Sequence, residues 1–149
     1  MTPLAVGAGA PSVLGVEFGD GPVGLFFYKV TCPTCALAAP RMAGFEHAFP
    51  GKVIGIGQDP PDALSTFTLE HQMGIGSIED APPYPISDAY GIVSVPTLFL
   101  VNEGHVFESI GAWDREGFNR AAATLADLLG AEPVTISGAD DGLPDFKPG

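Results

Sequence analysis

Apolar runs of strand length recur along the chain and are separated by segments with helical periodicity. Residues 23–30, 53–57 and 97–101 are almost wholly apolar, which is typical of strands covered on both faces of a sheet. Residues 105–110 follow a turn at residues 102–104 (Asn-Glu-Gly), so the last two runs predict a β-hairpin. The pattern therefore predicts four principal strands.

Three segments predict helices that pack on this sheet. The first spans residues 33–49, where Pro33 suits the first helical turn and Pro40 predicts a kink. The second spans about residues 59–73, and the third spans residues 114–129 between a capping aspartate and a terminating glycine. Apolar residues at helical spacing form the predicted buried faces of the first and third helices: Ala38, Met42, Phe45 and Phe49, and Phe118, Ala121, Ala122, Leu125, Leu128 and Leu129.

Other segments carry weaker patterns. Residues 12–18 and 134–136 predict short strands, and residues 87–90 predict a single helical turn. Residues 74–85 are rich in glycine, proline and acidic side chains, and they predict a loop that borders the functional site.

The order of the elements is strand, helix, strand, helix, hairpin and helix. This order predicts an α/β fold in which helices flank both faces of a mixed central sheet. We expect a single domain over residues 1–130, with its core at about residues 12–130. Residues 131–149 carry four acidic side chains and one lysine among many prolines and glycines, so we expect an acidic C-terminal extension.

Charge and hydropathy exclude several kinds of partner. The 149 residues carry a net charge of −12 with only six lysines and arginines, so nucleic acid and anionic membrane surfaces would be repelled. No apolar run reaches the roughly 18 residues that a membrane-spanning helix needs. Residues 1–16 lack Lys and Arg and contain two prolines, unlike a secretory signal. We therefore expect a cytoplasmic protein that binds neither nucleic acid nor membrane.

The candidate chemistry lies in Cys32-Pro33-Thr34-Cys35, which contains the only two cysteines of the chain. The motif follows the first apolar run and opens the first predicted helix, so Cys32 lies at or just before a helix N-terminus. Free backbone N–H groups and the helix dipole favour a thiolate there, and a thiolate is the species that attacks disulfides. The spacing also lets Cys35 attack a mixed disulfide formed on Cys32. We therefore expect a redox-active dithiol.

Two further features accompany this motif. Pro40 follows the second cysteine by five residues, and residues 90–97 (Tyr-Gly-Ile-Val-Ser-Val-Pro-Thr) precede the predicted hairpin. Together with the cysteine pair after a buried strand, these features resemble the thioredoxin superfamily over residues 23–129. The second segment is similar to the cis-proline loop of that family. An N-terminal extension and a long stretch before this loop make the chain more similar to TlpA/ResA-like and AhpC/TSA proteins.

The resemblance implies a thioredoxin-like fold in which Pro96, as a cis-proline, faces the cysteines. It implies a thiol–disulfide oxidoreductase with Cys32 as nucleophile and Cys35 as resolving thiol, and with no bound cofactor. Its partners would be a disulfide-containing protein or a small thiol substrate, and an external dithiol reductant. Such a protein would serve redox homeostasis or antioxidant defence. The implied substrate-binding residues are Thr31, Pro33, Thr34, Val95 and Pro96.

Several positions depart from the family pattern. Thr31 stands where thioredoxins place a tryptophan, and Phe26 stands where thioredoxin has a buried acid that helps to deprotonate the second thiol. TlpA-type proteins supply an acid from the central region instead, and the candidate proton acceptors here are Asp59, Asp62 and Glu70. Peroxiredoxins have a PxxxTxxC signature, but Lys29 and Cys32 occupy the threonine position for the two cysteines. This argues against a standard peroxiredoxin.

Three alternatives stay open at this point. The first is a thioredoxin-dependent peroxidase that uses Cys32 or Cys35. The second is a non-enzymatic redox sensor or thiolate metal carrier, although the three histidines show no paired spacing and we expect no metal. The third is an adaptor with inert buried thiols. The direction of catalysis is open as well, because it depends on the relative stability of the thiolates.

Overall fold

The protein is described by a computed structural model over residues 3–149. A short 3-10 turn at Phe18–Asp20 precedes the first strand. The strands and helices, in chain order, are β1 (Val23–Tyr28), α1 (Pro33–Ala48), β2 (Val53–Gly57), α2 (Pro61–Glu70), β3 (Ser77–Glu79), α3 (Pro85–Ala89), β4 (Thr97–Asn102), β5 (His105–Gly111), β6 (Trp113–Asp114), α4 (Arg115–Leu129) and β7 (Phe146–Lys147).

A mixed five-stranded sheet with the order β3-β2-β1-β4-β5 forms the centre of the molecule. The pairs β1–β2 and β2–β3 are parallel, whereas β1–β4 and β4–β5 are antiparallel. Every residue of β1 is buried, as its uninterrupted apolar sequence predicts for a central strand. The mixed sheet with flanking helices confirms the predicted fold class. It also brings the carboxyl end of β1, where the cysteine motif begins, beside the start of β4.

The principal helices agree with the sequence pattern. Helix α1 begins at Pro33, continues through Pro40 and buries Ala38, Met42 and Phe45. In α4 the Asp114 side chain accepts a hydrogen bond from the Gly117 N–H, 3.1 Å away, which caps the helix as predicted. The helix ends at Gly130, whose left-handed conformation (φ 66°) glycine adopts without steric cost. No helix within residues 3–149 is both long and apolar enough to cross a membrane.

Three local predictions differ from the structure. Residues 12–18 do not form a strand, because Gly15 has φ 90° and the Val16 N–H turns back to the Val13 carbonyl, 3.0 Å away. Residues 134–136 do not form one either, because the Ile136 N–H donates to a side chain, Asn119 Oδ1, at 2.8 Å. The predicted loop 74–85 instead contains β3, which pairs with the end of β2.

The C-terminal residues fold back onto the domain. Ile136 and Ser137 are buried, with 5% and 1% of their surfaces exposed. Further along, β7 pairs antiparallel with β6, and Lys147 lies opposite Trp113. The Trp113 Nε1–H also donates to the carbonyl oxygen of Pro144 at 2.7 Å. The end of the chain is thereby held beside the N-terminus of α4 and directed towards the cysteine motif.

Candidate active site

The two cysteines occupy the junction between β1 and α1. Cys32 is the N-cap residue of α1, and its sulfur accepts a hydrogen bond from the Cys35 N–H at 3.1 Å. Both are free thiols, but Cys32 is partly exposed, whereas Cys35 is fully buried in the core. A sulfur that accepts an amide N–H at a helix N-terminus is well placed to carry negative charge when it forms. The arrangement distinguishes an accessible thiol from a protected one.

The environment of Cys35 keeps this residue protonated. Burial raises the pKa of its thiol far above the usual range, and the hydrogen bond with Cys32 raises that pKa further. The negative charges of Cys32 and Asp59 contribute in the same direction. Cys35 therefore needs a proton acceptor before it can attack a disulfide.

A loop before β4 faces the accessible sulfur. The Cys32 thiol donates to the carbonyl oxygen of Val95 across 3.5 Å, and the Val95–Pro96 peptide bond is cis. The Thr97 hydroxyl donates to the Ser94 carbonyl at 2.9 Å, which fixes the turn of the loop. Within residues 3–149, no backbone N–H donates to the Val95 carbonyl. Among the described residues, the Val95 carbonyl therefore accepts from the Cys32 thiol and has no backbone partner.

The three candidate proton acceptors lie in different surroundings. Asp59 is partly buried at the start of the loop after β2, and its Oδ2 accepts the Val30 N–H at 2.9 Å. Asp62 is exposed in the first turn of α2, and Glu70 is exposed at the end of that helix. Of the three, only Asp59 acts on the pKa of Cys35. The structure therefore fixes Asp59 on the backbone two residues before Cys32 and leaves the other two carboxylates on the surface.

The remaining predicted site residues surround Cys32 to different extents. Thr31 and Pro33 are exposed, whereas Thr34 is buried. The Thr34 hydroxyl donates to the Pro148 carbonyl at 2.7 Å, a contact with the far end of the chain. Sequence reasoning missed this neighbour, because the Pro- and Gly-rich tail carries no signal that directs it to the site. Within residues 3–149, no group of three or more His, Cys, Asp and Glu side chains is arranged to hold a metal ion.

Comparison with known proteins identifies the family. The model of the AhpC/TSA family matches residues 14–109, which is more than half of the chain. The protein belongs to this family. No curated protein sequence matches the chain.

Solved structures share the fold. A thiol:disulfide interchange protein of the thioredoxin family from Chlorobium tepidum superposes with a TM-score of 0.64 at 19% identity, over 81% of this chain and 97% of that one. The thioredoxin domain of a Bacteroides vulgatus thiol-disulfide oxidoreductase gives 0.63 at 21% identity, over 74% and 91%. A secreted Mycobacterium tuberculosis disulfide oxidoreductase homologous to E. coli DsbE gives 0.54 at 21% identity, over 62% and 70%. The chain therefore has a thioredoxin-like fold.

Proposed function

We propose that this protein is a thiol–disulfide oxidoreductase that cycles Cys32 and Cys35 between dithiol and disulfide. The observation that carries the proposal is the hydrogen bond from the Cys35 N–H to the Cys32 sulfur, at 3.1 Å, between an accessible and a buried thiol. Family membership and the thiol–disulfide oxidoreductases among proteins of the same fold support it.

The reaction proceeds in two exchange steps. The Cys32 thiolate attacks one sulfur of a substrate disulfide, forms a mixed disulfide and releases the first substrate thiolate. Cys35 loses its proton and attacks the Cys32 sulfur, which releases the second thiolate and leaves a Cys32–Cys35 disulfide. Two electrons thus pass from the protein to the substrate. An external dithiol reductant then restores the two thiols.

We assign the proton transfer in the second step to Asp59. Its charge raises the pKa of Cys35, and its Oδ2 is fixed by the Val30 N–H at 2.9 Å. Cys35 needs a protein group to accept its proton, because a buried thiol has little access to water as a base. The substrate-binding roles of Thr31, Pro33, Thr34, Val95 and Pro96 stay predictions, as do the cytoplasmic location and the identity of the partners.

A redox titration tests the proposed function. The protein is equilibrated in thiol–disulfide buffers of graded potential, free thiols are trapped by alkylation, and the mass shift is measured. One reversible two-electron transition is expected in the wild type, and none in Cys35→Ser, which cannot close the internal disulfide. The midpoint also shows whether the protein reduces or oxidises its partners. Absence of the transition in the wild type would overturn the proposal.

A thioredoxin-dependent peroxidase is the second candidate, because the match to the AhpC/TSA family favours it. Peroxide would oxidise a thiolate to a sulfenic acid and release water, and the second cysteine would condense with it to a disulfide. Lys29 in the threonine position of the peroxidase signature argues against this chemistry at Cys32. Consumption of peroxide in an assay coupled to thioredoxin reduction would support the peroxidase, and disulfide exchange without it would support the oxidoreductase.

A further inference from the structure

The last nine residues of the sequence lie beside the cysteine motif and the loop before β4. We call residues 141–149 the C-terminal strap. Within it, β7 pairs with β6, and the Arg115 N–H donates to the Asp145 carbonyl at 2.9 Å in the same ladder. Beyond β7, Pro148 and Gly149 reach the cysteine motif. The strap is therefore an added strand segment whose end points at the dithiol.

The end of the strap covers both elements that flank Cys32. On one side, the Pro148 carbonyl accepts the hydrogen bond from Thr34, which lies between the two cysteines in sequence and is 3% exposed. On the other side, Gly149 lies against the Val95 carbonyl so closely that a Cβ at Gly149 would collide with that oxygen. The strap thus fills the space beside the only carbonyl that the Cys32 thiol contacts within the described residues.

A cluster of side chains centred on Arg115 anchors the strap. Its guanidinium donates to Asp141 at 3.0 Å, to the Leu143 carbonyl at 2.6 Å and to Asp145, and its Nε donates to Ser137 at 3.1 Å. Arg115 is 9% exposed. A buried guanidinium that loses these acceptors would leave an uncompensated charge, so the anchor resists release.

The covered position is the one that an extended polypeptide would use. Polypeptides bind an open backbone edge by adding a strand, which requires free N–H and carbonyl groups along several residues. Within the described residues, the Val95 carbonyl receives no backbone hydrogen bond, but Gly149 occupies the space beside it. The Cys32 sulfur itself stays partly exposed. A molecule that reaches the sulfur without pairing to the backbone is not obstructed.

We propose that the C-terminal strap is a specificity element that admits small disulfides to Cys32 and excludes extended polypeptides from the Val95 edge. The proposal rests on the proposed function and names its substrate class. In the closed form, the Cys32 thiolate attacks a low-molecular-weight disulfide and releases one small thiolate, and Cys35 then releases the other. A polypeptide disulfide reacts only when the strap end has moved away.

Two substitutions in the full chain loosen the strap without touching the thiols. In an antiparallel ladder, hydrogen-bonded pairs alternate with pairs that are not hydrogen-bonded. Arg115 is bonded to Asp145, so the next hydrogen-bonded pair is Trp113 with Lys147. Lys147→Pro therefore removes a backbone donor from β7. Gly149→Ala places a Cβ against the Val95 carbonyl and keeps the backbone donors of β7. Lys147→Ala is the matched control, because it removes the same side chain and keeps the N–H.

The test compares two probes under a fixed concentration of dithiothreitol. Insulin supplies a polypeptide disulfide, and bis(2-hydroxyethyl) disulfide supplies a small one. We expect Lys147→Pro to reduce insulin about fivefold faster than the wild type, the factor that one net backbone hydrogen bond represents. Gly149→Ala should also be faster than the wild type, because its Cβ displaces the strap end from the Val95 carbonyl. We expect the rate with the small disulfide to stay within about twofold, because its access to Cys32 does not depend on the edge. Lys147→Ala should match the wild type with both probes.

Three outcomes would overturn the proposal. Equal insulin rates in the wild type and both loosened variants would show that the strap excludes nothing. An equal acceleration with both probes would show that the strap blocks Cys32 altogether and does not select by size. Failure of the wild type to reduce the small disulfide would overturn the proposed function itself, which is a different result from failure of the specificity alone.

Discussion

The Cys35 N–H donates a hydrogen bond to the Cys32 sulfur at 3.1 Å, while the Cys35 thiol is fully buried. Cys35 thus stabilises the attacking sulfur of Cys32 through its backbone N–H, while its own side chain is inaccessible to solvent. Because access and deprotonation both control the reactivity of a thiol, this relationship assigns the first step to Cys32 and the second to Cys35.

Alkylation of the reduced native protein should distinguish the two thiols. We expect iodoacetamide to modify Cys32 at least about tenfold faster than Cys35, because Cys35 is buried and its pKa is raised. Mass spectrometry of peptides measures both rates. Cys32→Ser should suppress the fast modification, and Cys35→Ser should retain it. Comparable rates at the two sites in the folded wild type would contradict the assignment.

Asp59→Asn separates the electrostatic effect of Asp59 from proton transfer. Removal of its charge lowers the pKa of Cys35, which alone would accelerate resolution at neutral pH. Loss of a proton acceptor would slow resolution instead, and we expect a decrease of about tenfold or more. Asparagine still accepts the Val30 N–H, so the loop should keep its conformation. Stopped-flow measurement of the second thiolate released, from pH 6 to 9, reports this step.

The control for this experiment is Asp62→Asn, which removes an exposed carboxylate nearby in the sequence. It should leave both exchange steps unchanged. Faster resolution in Asp59→Asn would mean that Asp59 acts only through its charge.

The anchor of the strap should weaken in acid. The hydrogen bonds from Ser137 and the Leu143 N–H, together with Arg115, hold the pKa of Asp141 at about 2, below its ordinary 3.8. A lowered native pKa stabilises the fold above the unfolded value, and this stabilisation is lost as pH falls towards the native value. We expect the wild type to melt above Asp141→Asn at pH 5 and the difference to shrink between about pH 4 and pH 2.

Thermal unfolding of both proteins at constant ionic strength measures this difference. Asp140→Asn, which alters the exposed neighbouring carboxylate, is the matched control and should show no such loss. A difference between wild type and Asp141→Asn that stays constant from pH 5 to pH 2 would argue that Asp141 is not selectively stabilised in the folded state.

Close packing between β2 and α2 should make Gly57 intolerant of a side chain. A Cβ at Gly57 would collide with the Leu64 side chain, which is 4% exposed and lies in α2. We expect Gly57→Ala to lower the free energy of unfolding by about 1–3 kcal/mol, as overpacking of a core does. Gly76→Ala, where a Cβ meets no atom within 4 Å, should have little effect. Urea denaturation compares them, and equal stabilities would show that Leu64 repacks freely.

The central strands and the last helix were predictable because their signals are local. β1, β2 and β4 lie inside the sheet, so uninterrupted apolar sequence marks them. Asp114 and Gly130 bound α4 through their own side chain and backbone conformation. By contrast, β3 has three residues that are only partly buried or exposed, and its place depends on pairing with β2, which no local pattern encodes.

In the candidate site, too, features with a local sequence signal were predictable, and features that depend on the course of the chain were not. The position of Cys32 at a helix N-terminus follows from the strand-to-helix transition in its own neighbourhood. Which of Asp59, Asp62 and Glu70 lies near the cysteines depends on the path of the chain after β2, and no local sequence pattern encodes that path. The strap could not be predicted, because its course is fixed by Arg115 and by acceptors 26 and 30 residues further along the chain.

The fluorescence of the single tryptophan of this protein reports on the position of the C-terminal strap. Trp113 is fully buried, its ring lies 4.9 Å from that of Phe118, and its N–H is bound to the Pro144 carbonyl of the strap. Lifting the strap would exchange that carbonyl for water and shift the indole fluorescence to longer wavelength. Movement of the strap away from Trp113 can therefore be followed in solution, without any label, as substrates, reductants or pH are varied.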